Sequence, residues 1–141
     1  MFQTSFLTTQ QAKELAEKHG TPLYVYSRQK LEEMAQTMLS VPAPYGLTIR
    51  FAMKANPHQD ILEVFKNCGV KIDASSGYEA EKAIAAGFAP EDILLTSQQI
   101  PGNLKQLVEK GTQYNATSLR QLEVYGDMFG NKSEPANITV R

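Results

Sequence analysis

Residues 47–54 read Leu-Thr-Ile-Arg-Phe-Ala-Met-Lys, and residues 70–75 read Val-Lys-Ile-Asp-Ala-Ser. In both stretches apolar side chains occupy every second position. Leu47, Ile49, Phe51 and Met53 alternate with Thr48, Arg50, Ala52 and Lys54; Val70, Ile72 and Ala74 alternate with Lys71, Asp73 and Ser75. A period of two belongs to a β-strand, whose successive side chains point to opposite faces. The apolar face of each strand is set against helices. The other face carries Arg50, Lys54, Lys71 and Asp73, and near residue 140 it gains Thr139 and Arg141, which alternate with Ile138 and Val140. Charges on an inner face are costly unless they pair with one another or with a ligand.

Outward from these strands the chain keeps a rhythm. Candidate strands start near Leu47, Val70, Asp92, Gln113 and Ala136, about 21 to 23 residues apart, with a helical segment in each interval. Start signals mark the helices: Asn56 followed by Pro57, Ser76 with Glu79, and Ser118 with Gln121. Gly69, Gly87 and Gly111 stand where C-caps belong. Repeated βα units joined by right-handed crossovers make a parallel sheet, either an open doubly wound sheet or part of a barrel. Strands covered by helices on both sides are apolar throughout, whereas a barrel strand can turn polar residues into a lumen. The alternation favours the barrel. The fold class is α/β, a partial (β/α)8 barrel with about five of eight parallel strands.

Residues 1–45 read as a lead-in of helix, short strand and helix. Thr8 with Gln11 opens the first helix and Gly20 closes it; Leu23–Tyr26 is a β-rich run; Ser27 caps a helix from Arg28 to about Ser40, bearing Leu31, Met34, Ala35, Met38 and Leu39 at helical spacing. Residues 46–141 hold the barrel strands. Met34, Met38, Met53 and Met128 read as core packing.

Composition narrows the function. Fourteen basic and fifteen acidic residues leave a net charge of −1, with no basic stripe to follow a phosphate backbone, so nucleic acid is not an expected partner. Cys68 is the only cysteine, which excludes an internal disulfide and any cysteine-rich metal site; it reads as a buried free thiol in a reducing compartment. The first twenty residues lack a basic leader and an apolar run, and no stretch approaches the ~20 apolar residues of a membrane span, so a cytoplasmic location without membrane contact is expected. Asn-x-Ser/Thr triplets at Asn115, Asn131 and Asn137 read as chance matches. No phosphate-binding glycine loop, dinucleotide fingerprint, Cys-x-x-Cys, His-Glu-x-x-His or Gly-x-Ser-x-Gly is present, and His19 and His58 read as surface residues. No metal is expected.

Lys54 departs from the ordinary surface lysine. It ends an apolar strand and precedes Ala55-Asn56-Pro57, which sets it at the C-terminal strand edge, where parallel βα sheets and barrels carry their chemistry. A lysine there is expected to be partly desolvated, which favours the neutral amine that attacks an aldehyde. Asp73 lies one strand over near the same edge, and Arg141 lies at a comparable level farther along. Amine, carboxylate and guanidinium around one mouth suit an anionic cofactor and substrate.

The segment Phe51-Ala52-Met53-Lys54-Ala55-Asn56 resembles the cofactor-lysine motif of the alanine-racemase-fold pyridoxal-phosphate enzymes, closest to their diaminopimelate, ornithine and arginine decarboxylase branch. Thr21–Tyr26 is similar to the opening segment of the diaminopimelate decarboxylases. Ile72–Glu79 resembles the family's second-strand motif, with Gly77-Tyr78-Glu79 where Gly-Gly-Glu is usual, and Ala85-Ala86-Gly87 and Ile138–Arg141 also fit in order. The resemblance implies pyridoxal 5′-phosphate as cofactor, Lys54 as the catalytic residue that holds it, and Asp73 and Arg141 as further cofactor-binding residues. It implies decarboxylation of a small-molecule amino acid, foremost meso-diaminopimelate to lysine, with ornithine, arginine or carboxynorspermidine as the other substrates of the fold. It also implies a homodimer for the full-length enzyme. On this reading the chain is an N-terminal fragment, inactive alone, because the family's phosphate grip and second domain lie downstream of the matched motifs.

Overall fold

The computed structural model describes residues 6–130 and 138–141. Two helices lead in, α1 (Thr9–His19) and α2 (Arg28–Leu39), followed by β1 (Arg50–Ala52), α3 (Gln59–Asn67), β2 (Lys71–Ala74), α4 (Gly77–Ala85), β3 (Ile93–Leu95), α5 (Leu104–Glu109), β4 (Gln113–Ala116), α6 (Leu119–Phe129) and β5 (Ile138–Val140). The five strands form one parallel sheet in sequence order, β1-β2-β3-β4-β5. Each crossover helix returns the chain to the next strand, which gives the consecutive order of a barrel wall.

Alternation places the core. Ile72 and Ala74 of β2, Ile93 and Leu95 of β3, and Tyr114 and Ala116 of β4 are buried against Leu62, Ala80, Ala83, Leu104 and Leu107 of the helices. Burying one such Leu or Ile side chain contributes roughly 1.5–3 kcal/mol, so the helix-facing side is where most of the apolar stabilisation lies. Tyr114 stacks on Tyr125 at 5.6 Å between ring centroids, and Tyr125 meets Phe129 at 4.7 Å, which seals α6 onto β4.

The helix starts follow the sequence signals with two revisions. Thr8 and Gln11 close a full capping box, and Ser27, Ser76 and Ser118 each cap their helix. Asn56, however, is not the cap of α3. That position belongs to His58, whose Nδ1 accepts from Asp60 N–H at 3.3 Å, while Asn56 accepts from His58 N–H at 3.0 Å in a turn ahead of it. The side chains of Glu79 and Gln121 also leave their expected boxes: both reach back past the N-cap to the residue before it. Gly87 follows the last turn of α4 at φ 88°, with Gly69 and Gly111 in the same role after α3 and α5.

The lead-in departs further from expectation. Leu23–Tyr26 forms no strand, and Tyr24 is 87% exposed. α1 buries no residue and α2 buries only Ala35. Met34 and Met38 are half exposed, as is Met128, so of the four methionines read as core only Met53 is buried. Helical periodicity predicts an apolar stripe on α2; α3 covers it at Ala35 and part of Leu31, while Met34, Met38 and Leu39 stay exposed. Leu47 is likewise exposed, because β1 begins at Arg50. Cys68 is half-buried at the end of α3 and not enclosed. No described helix is long and apolar enough to cross a membrane.

Candidate functional site

A cleft of about 730 Å³ opens at the C-terminal ends of the strands. Lys54, Asp73, Ser75, Thr96, Thr117 and Arg141 line it, together with Ser76 and the Ser97–Gln99 loop. Parallel register brings these side chains together. Ala52 pairs with Asp73, Ala74 with Leu95, Leu95 with Tyr114 and Asn115 with Thr139, so Asp73, Ser75 and Thr96 share one edge with Lys54, Thr117 and Arg141, which lie two residues beyond Ala52, Asn115 and Thr139.

Lys54 stands in a short 3₁₀ turn, Met53–Ala55, directly after β1. Met53 beside it is fully buried and anchors the turn. The Lys54 side chain is exposed at the open side of the strand arc and has no ion pair or hydrogen bond among the described residues. The expected partial desolvation is therefore not found, since the five strands leave the concave side open to water. Asp73 is half-buried in the floor, where its Oδ1 accepts from the Thr96 hydroxyl at 2.7 Å. Arg141 is exposed at the far edge, its backbone N–H donating to Ala116 O at 2.9 Å.

Two inward charges seen in the sequence lie elsewhere. Arg50, at the opposite end of β1, donates to Ile72 O at 3.3 Å, to Asp92 O at 2.9 Å and to Gln113 Oε1 at 2.9 Å. Burial pushes the Arg50 guanidinium below its ordinary pKa, and the carboxylates of Asp73 and Asp92 act in the opposite sense. Lys71 pairs with Asp92 at 2.8 Å. Both satisfy their charge within the protein, which leaves Lys54 and Arg141 as the cations bordering the cleft.

Sequence reading missed the supports of the cleft wall. Gln121 is 2% exposed. Its Nε2 donates to Ser97 O at 2.8 Å and to Gln98 O at 3.2 Å, while its Oε1 accepts from Thr117 N–H at 2.8 Å. One amide thus ties the loop after β3 to the loop after β4. Glu79 plays the matching part after β2, accepting from Ser75 N–H at 2.7 Å and from its hydroxyl at 3.0 Å. The pattern is visible as Ala-Ser-Ser-x-x-Glu at 74–79 and Ala-Thr-Ser-x-x-Gln at 116–121. Gly77 in the first of these is buried under Asn103, and a Cβ there would meet the Asn103 side chain, which in turn donates to Glu81 at 2.8 Å. The triplet at Asn115 is no glycan acceptor in this fold, because the Asn115 amide is engaged inside the sheet; Asn131 and Asn137 lie outside the described residues, as does Ala136, where the fifth strand was expected to begin.

Consecutive βα units with a polar cleft at the C-terminal strand ends match part of the wall of a (β/α)8 barrel. The comparisons narrow this. The model of the pyridoxal-dependent decarboxylase pyridoxal binding domain matches residues 27–141, and the chain belongs to that family, whose cofactor is pyridoxal phosphate. It is 31% identical over 133 residues to the diaminopimelate decarboxylase of Zymomonas mobilis, covering 91% of this chain and 32% of that protein. The crystal structure of diaminopimelate decarboxylase from Helicobacter pylori, complexed with L-lysine, superposes with a TM-score of 0.82 at 22% identity, over 92% of this chain and 33% of that one. Lysine decarboxylase from Selenomonas ruminantium superposes at 0.78 with 20% identity, over 95% and 34%. The chain spans about a third of the length of these relatives. The same fold serves both named decarboxylases, so architecture alone does not choose a substrate.

Proposed function

We propose that this chain supplies the cofactor lysine and part of the substrate pocket of a pyridoxal-phosphate-dependent amino-acid decarboxylase acting on meso-diaminopimelate to give lysine. The observation that carries the reading is the meeting of Lys54, Asp73 and Arg141 on one cleft from three separate strands. The donor set fits the cofactor: an unpaired amine for its aldehyde, a carboxylate for a cationic nitrogen, a guanidinium for an anionic group, and hydroxyls between them. When bound, pyridoxal phosphate supplies an electron sink for the carbon that loses carbon dioxide.

Lys54 would hold the cofactor through Nζ, and at the cleft edge its amine would be placed to accept or donate a proton. Asp73, fixed by Thr96, accepts from a cationic nitrogen. Arg141 faces an anionic group, and the Ser97–Gln99 loop bounds the far wall. Residues 46–141 then form the first five strands of the cofactor-binding domain, with residues 1–45 as its lead-in. The complete enzyme works as a homodimer. Identity to diaminopimelate decarboxylases favours that substrate over ornithine or arginine.

The experiment is borohydride fixation. The chain is incubated with pyridoxal phosphate over a concentration series, reduced, and mapped by peptide mass spectrometry. Selective labelling of Lys54, lost in Lys54→Arg, is the expected result, with weak affinity for residues 1–141 alone. Labelling spread evenly over the exposed lysines would reject the assignment.

A further inference from the structure

Four polar side chains form one line from β5 to β2, and the last two of them, Thr96 and Asp73, line the cleft. Thr139 Oγ1 lies 2.9 Å from Asn115 Oδ1, Asn115 Nδ2 lies 3.4 Å from Thr96 Oγ1, and Thr96 Oγ1 lies 2.7 Å from Asp73 Oδ1. The direction of the line follows from chemistry. A carboxylate only accepts, so the Thr96 hydroxyl gives its proton to Asp73. Thr96 then has lone pairs and no proton left for Asn115, so the Asn115 NH₂ must face it. The Asn115 carbonyl is thereby turned to Thr139, whose hydroxyl donates to it at 2.9 Å and more weakly to Tyr114 O at 3.3 Å. Every link points toward Asp73, and donors aligned in series polarise one another toward the charge. Asp73 Oδ2 has no hydrogen-bond partner among the described residues.

We infer that Thr96 is a positioning residue of this cleft, backed by Asn115 and Thr139: it engages Oδ1 of Asp73 and leaves Oδ2 as the oxygen that receives a cationic nitrogen of cofactor or substrate. The inference rests on the function proposed above. The links differ in strength. The Thr96–Asp73 bond is short and charge-assisted, while the Asn115–Thr96 contact of 3.4 Å is at the limit of a hydrogen bond. Loss of the first is therefore felt far more than loss of the second.

The test uses borohydride fixation at Lys54 with pyridoxal phosphate as the probe. Thr96→Val keeps the shape and removes the donor; it is expected to raise the half-labelling concentration roughly tenfold, the scale of one charge-assisted bond. Thr96→Ser returns it to within about twofold of the parent, and Asn115→Leu changes it by about twofold to threefold. The deciding arm is the cycle with Asp73→Ala. If Thr96 acts through Asp73, adding Thr96→Val to that variant costs less than about twofold more, within the scatter of independent sites. Thermal melting of each variant separates loss of fold from loss of positioning. An unchanged half-labelling concentration in Thr96→Val, failure of Thr96→Ser to restore it, or full additivity with Asp73→Ala overturns the inference while leaving Lys54 in place. Absence of selective Lys54 labelling in the parent chain overturns the underlying site, and the positioning role with it.

Discussion

Replacing Gln121 by Met keeps the length of the side chain and removes every polar atom from it. Three partners are affected. Thr117 loses an acceptor for its N–H at 2.8 Å and for its hydroxyl at 3.2 Å, Ser97 O loses a donor at 2.8 Å, and Gln98 O loses a donor at 3.2 Å. Ser97 O keeps the Thr117 hydroxyl at 3.1 Å, so it is only weakened, whereas the Thr117 amide is stranded. A stranded part-buried donor costs about 1–3 kcal/mol and the two bonds lost to carbonyls about 1 kcal/mol each, offset by about 1 kcal/mol of apolar gain from Met, which gives about 2–4 kcal/mol in all. With a urea slope of about 2 kcal/mol per molar, the unfolding midpoint falls by roughly 1–2 M. Gln121→Glu provides the control of sign. It preserves the acceptor and sets a carboxylate oxygen against the carbonyls of Ser97 and Gln98, so the folded state favours the protonated acid and its pKa is raised. Stability is then best below the ordinary glutamate value of about 4.3 and is lost as pH rises through the folded pKa. Urea titrations of both variants across acid pH measure this. A midpoint shift for Gln121→Met equivalent to under about 0.5 kcal/mol, the size of a neutral surface change, would refute the bridging role.

Other perturbations read other parts of the molecule. Tyr114 is 1% exposed and its hydroxyl has no partner among the described residues, so Tyr114→Phe is expected to leave stability unchanged or raise it by up to about 1 kcal/mol in urea unfolding; a loss above that would reveal a bond to the hydroxyl. Burial pushes the phenols of Tyr114 and Tyr125 above their ordinary pKa, so they favour the fold below about pH 10 and destabilise it as pH rises further, because the unfolded phenols ionise first. Phenolate absorbance rising in step with loss of structure checks this. Arg50→Met removes three hydrogen bonds at the base of the sheet, and with half of the group in water the cost is about 1–3 kcal/mol by thermal or urea unfolding. Val140 is 63% exposed on β5, an edge strand of the described sheet, so Val140→Lys is expected to reduce concentration-dependent association in sedimentation velocity; unchanged association would place the contact elsewhere.

The barrel wall was legible because its strands obey a strict period: Ile72 and Ala74 turn outward to the helices while Asp73 and Ser75 turn inward, as the alternation requires. Lys54 and Arg141 were legible for a related reason, each being the polar residue that ends an alternating run. Periodicity says which side chains share a face; it does not say which of them touch. That depends on register, and register made Thr96 the neighbour of Asp73 and brought Thr117 and Gln121 under Ser97. The β4 run Gln113-Tyr114-Asn115-Ala116-Thr117 already alternates polar with apolar, so its inward face could have been read from the sequence; in β3 the run Ile93-Leu94-Leu95 hid Thr96 behind an apolar neighbour. The lead-in was misread in the opposite way. Its apolar residues recur at helical spacing, but a moment on a helix records only that one side is apolar, and burial needs a second surface. Exposed Tyr24, Tyr45 and Met34 therefore mark the boundary between what local pattern determines and what tertiary contact must supply. The cleft lies on the determined side of that boundary: Lys54, Asp73 and Arg141 come from the inward positions of periodic strands and their ends, Thr96 and Thr117 each follow the last residue of a strand, and the Gln121 and Glu79 supports come from helices.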